Sequence, residues 1–284
     1  MNYSKRRLRK KRILTLIIIT IGLIYIPLKL TQSTAMFSNS SLSKYELSNK
    51  LKRYELSNKL KKESKSNYKI RYILNNMDKY PTELLELLSR NTETVDFVYD
   101  YPNHRDKIIF NKISIKKYYK PGKIPLFLQW DKKWGYDFYG NEPIAIGGCA
   151  PTSLAMVAVG LTGNTRINPL VVSNYAYKHD YYVNGVGSSW SLISEGAKHF
   201  GLNSQELPLS KSSILSTLKE GFPIIVTVGP GTFTTTGHFL VLTGLTDDGK
   251  VTINDPNSKI NSSKSWDVDI FLKEAKNLWK MSKL

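Results

Sequence analysis

Residues 146–157 read IGGCAPTSLAMV. A glycine pair ends the preceding segment, and an apolar run with helical spacing begins at Cys149, the only cysteine among 284 residues. A thiol in the first turn of a helix faces the positive end of the helix dipole, and such settings bring a cysteine from about 8.5 down to roughly 3.5–7.5. Cys149 is therefore the candidate nucleophile, with Leu154, Val157, Ala158 and Leu161 read as the apolar stripe of an amphipathic helix behind it. A lone cysteine is more commonly a small buried apolar residue. The glycine-flanked helix start and the His and Asp downstream turn the reading toward catalysis.

Beyond that helix, two more are expected, WSLISEGAKHF at 190–200 and SSILSTLKEG at 212–221, each closed by a glycine. PIIVTVG, HFLVLTGLT and KVTIND then read as strands, and Asp247-Asp248-Gly249 between the last two is a hairpin signal. A closing helix from near Ser265 is expected to bury Val268, Phe271, Leu272, Ala275 and Leu278. Upstream, IPLFLQW at 124–130 reads as extended. Helices followed by an antiparallel sheet define an α+β fold.

Cys149 needs a base and a group to orient it. His238 opens the strand HFLVLTG after Thr236-Gly237, and Asp255 ends the next strand. Counting back from the hairpin turn puts residue 238 opposite 256–258, so the two can meet: His238 as base, Asp255 holding its tautomer. Asn254, the other orienter considered, faces the opposite side of its strand from Asp255. Asp255 before Pro256 also suits a plain turn cap. His104 reads as a surface-turn residue, and His179 and His199 as surface or satisfied helix residues. One cysteine and scattered histidines give no metal-ligand spacing, and no cofactor is expected.

These segments carry a resemblance. GGCAPTSLAMV, TGHFLVLTG and VTINDP, preceded by PLFLQWDKKWG, resemble the bacteriocin-processing (double-glycine leader) cysteine peptidase-like family of the papain-like superfamily, from about residue 124 to the carboxyl terminus. The resemblance implies a papain-like cysteine peptidase fold and a Cys149, His238, Asp255 triad. It also implies a glutamine donor to the oxyanion, matched by Gln129. That glutamine lies twenty residues before Cys149 and not a handful, so a loop through 136–146 must bring it back. Gly148 and Trp190 are candidate substrate contacts, and the loops 184–189 and 229–236 candidate cleft borders.

The amino terminus sets the address. KRRLRKKR precedes ILTLIIITIGLIYIPLKL at 13–30, uncharged until Lys29 and long enough at about 1.5 Å per residue to span a hydrocarbon core. Basic residues at 1–12 orient that end toward the cytoplasm. Two readings stand: a signal anchor, which is favoured, or a signal peptide cleaved after Ser33-Thr34-Ala35. Residues 31–67 read as a polar linker containing the duplication KYELSNKLK and RYELSNKLK, a solvated spacer or a short charged helix with Leu47, Leu51 and Leu56 on one side. Residues 68–120 read as a helical preface without a site, and 121–284 as the catalytic domain.

Eight of the basic residues behind the net charge of +18 lie in the first thirty positions, and the remainder is still basic. That charge is spread out and not clustered with aromatics, so no nucleic-acid partner is expected. A single cysteine excludes an intramolecular disulfide. No GxxxxGK[ST] occurs, so the ATP-driven exporter that accompanies leader peptidases is absent from these residues. The expectation is an extracytoplasmic thiol hydrolase acting on a peptide or cell-wall amide, with a catalytically silent adhesion or binding module as the other reading. Oligomeric state is not legible.

Overall fold

The structure is a computed structural model that describes Lys44 and residues 46–104 and 113–284. The expected basic segment, the span at 13–30 and the cleavage point after Ala35 lie outside the described residues. Among the described residues no helix is long and apolar enough to cross a membrane. The chain divides into two units, Met1–Asn58 and Lys59–Leu284.

Residues 46–60 form helix α1, so the duplicated nonapeptide is helical and not a spacer without structure. Nine residues at 3.6 per turn is two and a half turns, so equivalent leucines of the two copies point in opposite directions. Leu47 and Leu51 are 59% and 57% exposed, whereas Leu56 and Leu60 are buried. The expected common side for Leu47, Leu51 and Leu56 is thereby corrected.

Within the second unit, the preface forms α2 (Tyr68–Asn75), α3 (Thr82–Arg90) and α4 (Val95–Asp100). It packs against the start of the domain that follows: the Tyr136 ring is stacked between Phe97 and His104, with centroids 4.2 and 4.6 Å away. His104 is thus a stacking residue rather than a free surface turn. A small ladder of β1 (Phe138–Tyr139) and β2 (Glu142–Pro143) leads into the short α5 (Ile144–Gly147) and then α6 (Cys149–Thr162). From Ala150 to Val159 every residue of α6 is buried, so this helix is apolar all round and not amphipathic. It is the central helix, covered by α7 (Pro169–Lys178) and the sheet.

After the ladder of β3 (Tyr182–Val183) and β4 (Gly187–Ser188), the expected helix at 190–200 splits into α8 (Ser191–Ser194) and a 3-10 stretch ending at Gly201. His199 and His179 both pack on the Tyr175 ring, at 4.1 and 4.3 Å. Then come β5 (Leu202–Glu206), α9 (Lys211–Lys219), β6 (Ile224–Val228), β7 (His238–Leu245), β8 (Val251–Asn254), α10 (Lys259–Ser262), β9 (Ser265–Trp266), α11 (Val268–Glu274) and β10 (Ala275–Lys283). The six-stranded antiparallel sheet runs β5-β10-β6-β7-β8-β9.

The closing helix is therefore half as long as expected, and the residues after it form the longest strand of the sheet. Helical spacing misled here for an identifiable reason. The register of β10 against β6 shifts between Ala275 and Asn277, and such a bulge places Ala275 and Leu278, three apart, on one face of a strand. Leu278 joins Val226, Leu240 and Leu242 under α9 and α11, while Trp279 and Met281 join Ile225, Phe239 and Val241 under α6. Both faces of the sheet are covered, which is why β6 and β7 read as continuous apolar runs.

Candidate active site

Cys149 is the first residue of α6, with Gly148 as its N-cap and no side chain capping that end. The backbone N–H groups of Cys149 and Ala150 consequently have no acceptor within the helix, and Pro151 carries none. Gly148 is required by space: a Cβ there would meet the Ile144 carbonyl oxygen and side chain. Gly148→Ala is expected to cost about 1–3 kcal/mol, because the atom struck is backbone and cannot swing away. Its urea midpoint, compared with wild type, checks this.

His238 opens β7 and Asp255 follows the last residue of β8. Both are buried, 7% and 1% exposed, and His238 Nε2 lies 2.8 Å from Asp255 Oδ1. Their meeting depends on a bulge. Leu245 pairs with Val251 and Gly244 with Thr252, but Leu242 pairs with Ile253, so Thr243 is an extra residue in the ladder. In an unbroken register, residues 238 and 255 would point to opposite faces, since side chains alternate along a strand. The bulge moves His238 onto the face of Val251, Ile253 and, continuing the alternation, Asp255.

With Nε2 on Asp255, Nδ1 is the ring nitrogen left for the thiol, and His238 and Cys149 line the same cleft. Burial is the largest influence on His238 and opposes its charge, but the Asp255 carboxylate, by charge and hydrogen bond, and Cys149 outweigh it. His238 is raised from 6.5 to about 10. Burial also pushes Asp255 up, yet His238, Asn261 and the Asn257 N–H hold its carboxyl below the ordinary range. Oδ1 accepts from Asn257 N–H and Oδ2 from Asn261 Nδ2, each at 2.8 Å.

The two shifts predict a pH window. A ring raised on folding contributes stability in full below 6.5 and loses it as pH climbs toward about 10. A depressed carboxyl contributes above its ordinary 3.8 and loses it as pH falls further. The stability difference between wild type and His238→Ala, from urea unfolding, is expected to be widest between these limits and to shrink on both sides.

Gln129 is buried and reaches the turn just before Cys149. Its Nε2 donates to Ala145 O at 2.8 Å and Ile146 O at 3.2 Å, while its Oε1 is buried with no hydrogen-bond partner among the described residues. The loop does bring Gln129 back, but its donors are committed to those carbonyls. Asn254 is taken too: its Nδ2 donates to Ile124 O and Pro125 O, fastening the extended segment.

Cys149, His238 and Gln129 line one cleft of about 590 Å³, bordered by Gly185, Val186 and the 231–237 loop. The size suits a short stretch of substrate. Gly147 lines it and Gly148 does not, because Gly148 is packed on Ile144. Trp190 is absent from the lining as well; its ring packs edge-on to Trp279, which holds it away. Sequence reading missed Asn261, and it missed Leu87, Arg90 and Glu142, which line the cleft. Ser258, whose hydroxyl accepts from Asn261 N–H as an N-cap, was the available signal for the turn. Nothing in α3 signalled a cleft wall.

A cysteine at the amino end of a buried helix, facing a His–Asp pair on an antiparallel sheet, is the arrangement of papain-like thiol peptidases. The chain belongs to the Peptidase_C39 like family, whose model matches residues 122–283. Among solved structures, the peptidase domain of Streptococcus ComA, a bi-functional ABC transporter involved in a quorum-sensing pathway, matches at 21% identity. That match covers 49% of this chain and 93% of that one, with a TM-score of 0.36. No curated protein matches.

Proposed function

We propose that this protein is a membrane-tethered, extracytoplasmic cysteine peptidase that cleaves a peptide or amide bond through an acyl-enzyme on Cys149. The observation that carries the reading is the buried His238–Asp255 pair, with His238 lining the same cleft as the only thiol of the chain. His238 takes the thiol proton, Cys149 Sγ attacks the carbonyl carbon, and the N–H groups at the start of α6 face the developing oxyanion. The imidazolium then protonates the leaving amine, and water releases the acyl group.

The location is read from the basic cluster and apolar stretch before residue 31, and it sets the substrate class. An enzyme outside the membrane meets secreted peptides and cell-wall amides, so double-glycine leaders, cut where an exporter loads them, are the less fitting substrates. Its basic charge suits an anionic envelope. Incubating the protein with secreted peptides and with wall fragments, and trapping a Cys149 acyl adduct by mass spectrometry, tests the activity. Removal of a carboxyl-terminal tag by protease added to intact cells tests the location; a tag that survives refutes it.

One observation favours the silent binding module instead: both donors of Gln129 are occupied. Iodoacetamide separates the two readings. An enzyme's Cys149 reacts faster than a free thiol at mildly acid pH, whereas a silent module's reacts at an ordinary rate.

A further inference from the structure

We infer that Glu93, which lies outside the family-matched residues, is a positioning residue of the catalytic apparatus: it clamps the 255–262 turn and through it holds Asp255 against His238. The inference rests on the peptidase reading above. Glu93 sits in the Thr92–Thr94 turn after α3. Its carboxylate accepts from the Ser258 hydroxyl, from Lys259 N–H at 2.9 Å and from Ile260 N–H at 3.3 Å. Two residues earlier, Asn91 Nδ2 donates to the Asn257 carbonyl oxygen, which also accepts from Trp130 Nε1 at 2.9 Å.

The turn held in this way supplies the partners of Asp255 other than His238. Asn257 N–H and Asn261 Nδ2 reach its two carboxylate oxygens, and its own N–H donates to Ser262 Oγ at 2.8 Å. External support is needed because β8 ends at Asn254, leaving Asp255 beyond the ladder. The four residues of α10 are too few to be helical by themselves. Three charge-assisted bonds from one carboxylate provide that support. The same segment stands beside the chemistry, since Leu87 and Arg90 of α3 form part of the cleft wall.

The test uses the full-length chain and iodoacetamide as probe, following Cys149 alkylation across the pH range from about 5 to 10. The variants are Glu93→Ala and Glu93→Gln, with Asp96→Ala as control; Asp96 is 66% exposed and pairs with Lys69 away from the cleft. Glu93→Ala is expected to lose about ten- to a hundredfold of the rate excess over a free thiol, as a misplacement near 1 Å would. The acid limb of its alkylation profile should move to higher pH, because a displaced Asp255 no longer sustains the imidazolium that favours the thiolate. Glu93→Gln keeps a carbonyl acceptor and should recover part of the loss. Asp96→Ala should match wild type. If Glu93→Ala lowers Tm, Glu93→Gln at wild-type Tm decides the matter. A wild-type excess that both Glu93 variants leave untouched overturns the clamp alone, and a wild-type chain with no excess overturns the peptidase reading with it.

Discussion

His238→Ala is expected to reduce hydrolysis by about 10⁴- to 10⁶-fold and to erase the fast alkylation of Cys149. The magnitude follows from the double use of one ring. It removes the thiol proton for attack and returns it to the leaving amine, and no other histidine is placed to substitute: His179 and His199 pack on Tyr175, and His104 is stacked on Tyr136. Single-turnover assays on any hydrolysed peptide, read beside alkylation at pH about 6, measure both effects. Loss of turnover with fast alkylation intact would mean that something other than His238 activates the thiol. Cys149→Ala should remove turnover equally, and combining the two should add little, because they act as one unit.

Asp255→Ala is expected to be the most damaging change for stability and activity together. It leaves His238 buried and unpaired, and breaking such a pair from one side costs about 3–5 kcal/mol. It also frees Asn257 N–H and Asn261 Nδ2 of their acceptor. Asp255→Asn separates the two roles. An amide oxygen can still accept from His238 Nε2, but the new amide would confront Asn261 Nδ2, donor against donor, until the Asn261 amide turns over. Stability should therefore fall far less than with alanine. Activity should drop about 10²- to 10⁴-fold, because a neutral partner orients the ring without stabilising its charge. The alkaline limb of the rate profile should shift to lower pH, since the carboxylate is what keeps His238 raised. Equal urea midpoints for wild type and Asp255→Ala would show that the carboxylate is not holding the site.

The helix start at Cys149, the strands through Ile225, Leu240 and Ile253 and the Asp247–Gly249 turn were all legible, because each is written in adjacent residues as a glycine break, an apolar run or a turn dipeptide. The class of fold followed from their order. What misled was spacing across irregularities. Ala275 and Leu278 mimic a helix because a bulge lies between them, and a nine-residue repeat suggests a shared face where the helix gives two opposite ones. The split at 190–200 and the edge strand Leu202–Glu206, mostly polar and exposed, carry too little periodicity to be read.

For the candidate site the division runs along the same line. Chemical types and their order along the chain were enough to single out Cys149, His238 and Asp255, since nucleophile, base and orienter are local choices at a helix start and two strand ends. Geometry was beyond reach. Whether His238 and Asp255 share a face turns on one extra residue, Thr243, and a one-residue shift reverses every side chain beyond it. Gln129's commitment to Ala145 and Ile146, the exclusion of Trp190 from the cleft, and the hold of Glu93 on the turn that carries Asp255 join residues from 16 to 167 positions apart. Contacts of that kind arise only from packing, and no pattern among neighbouring residues records them.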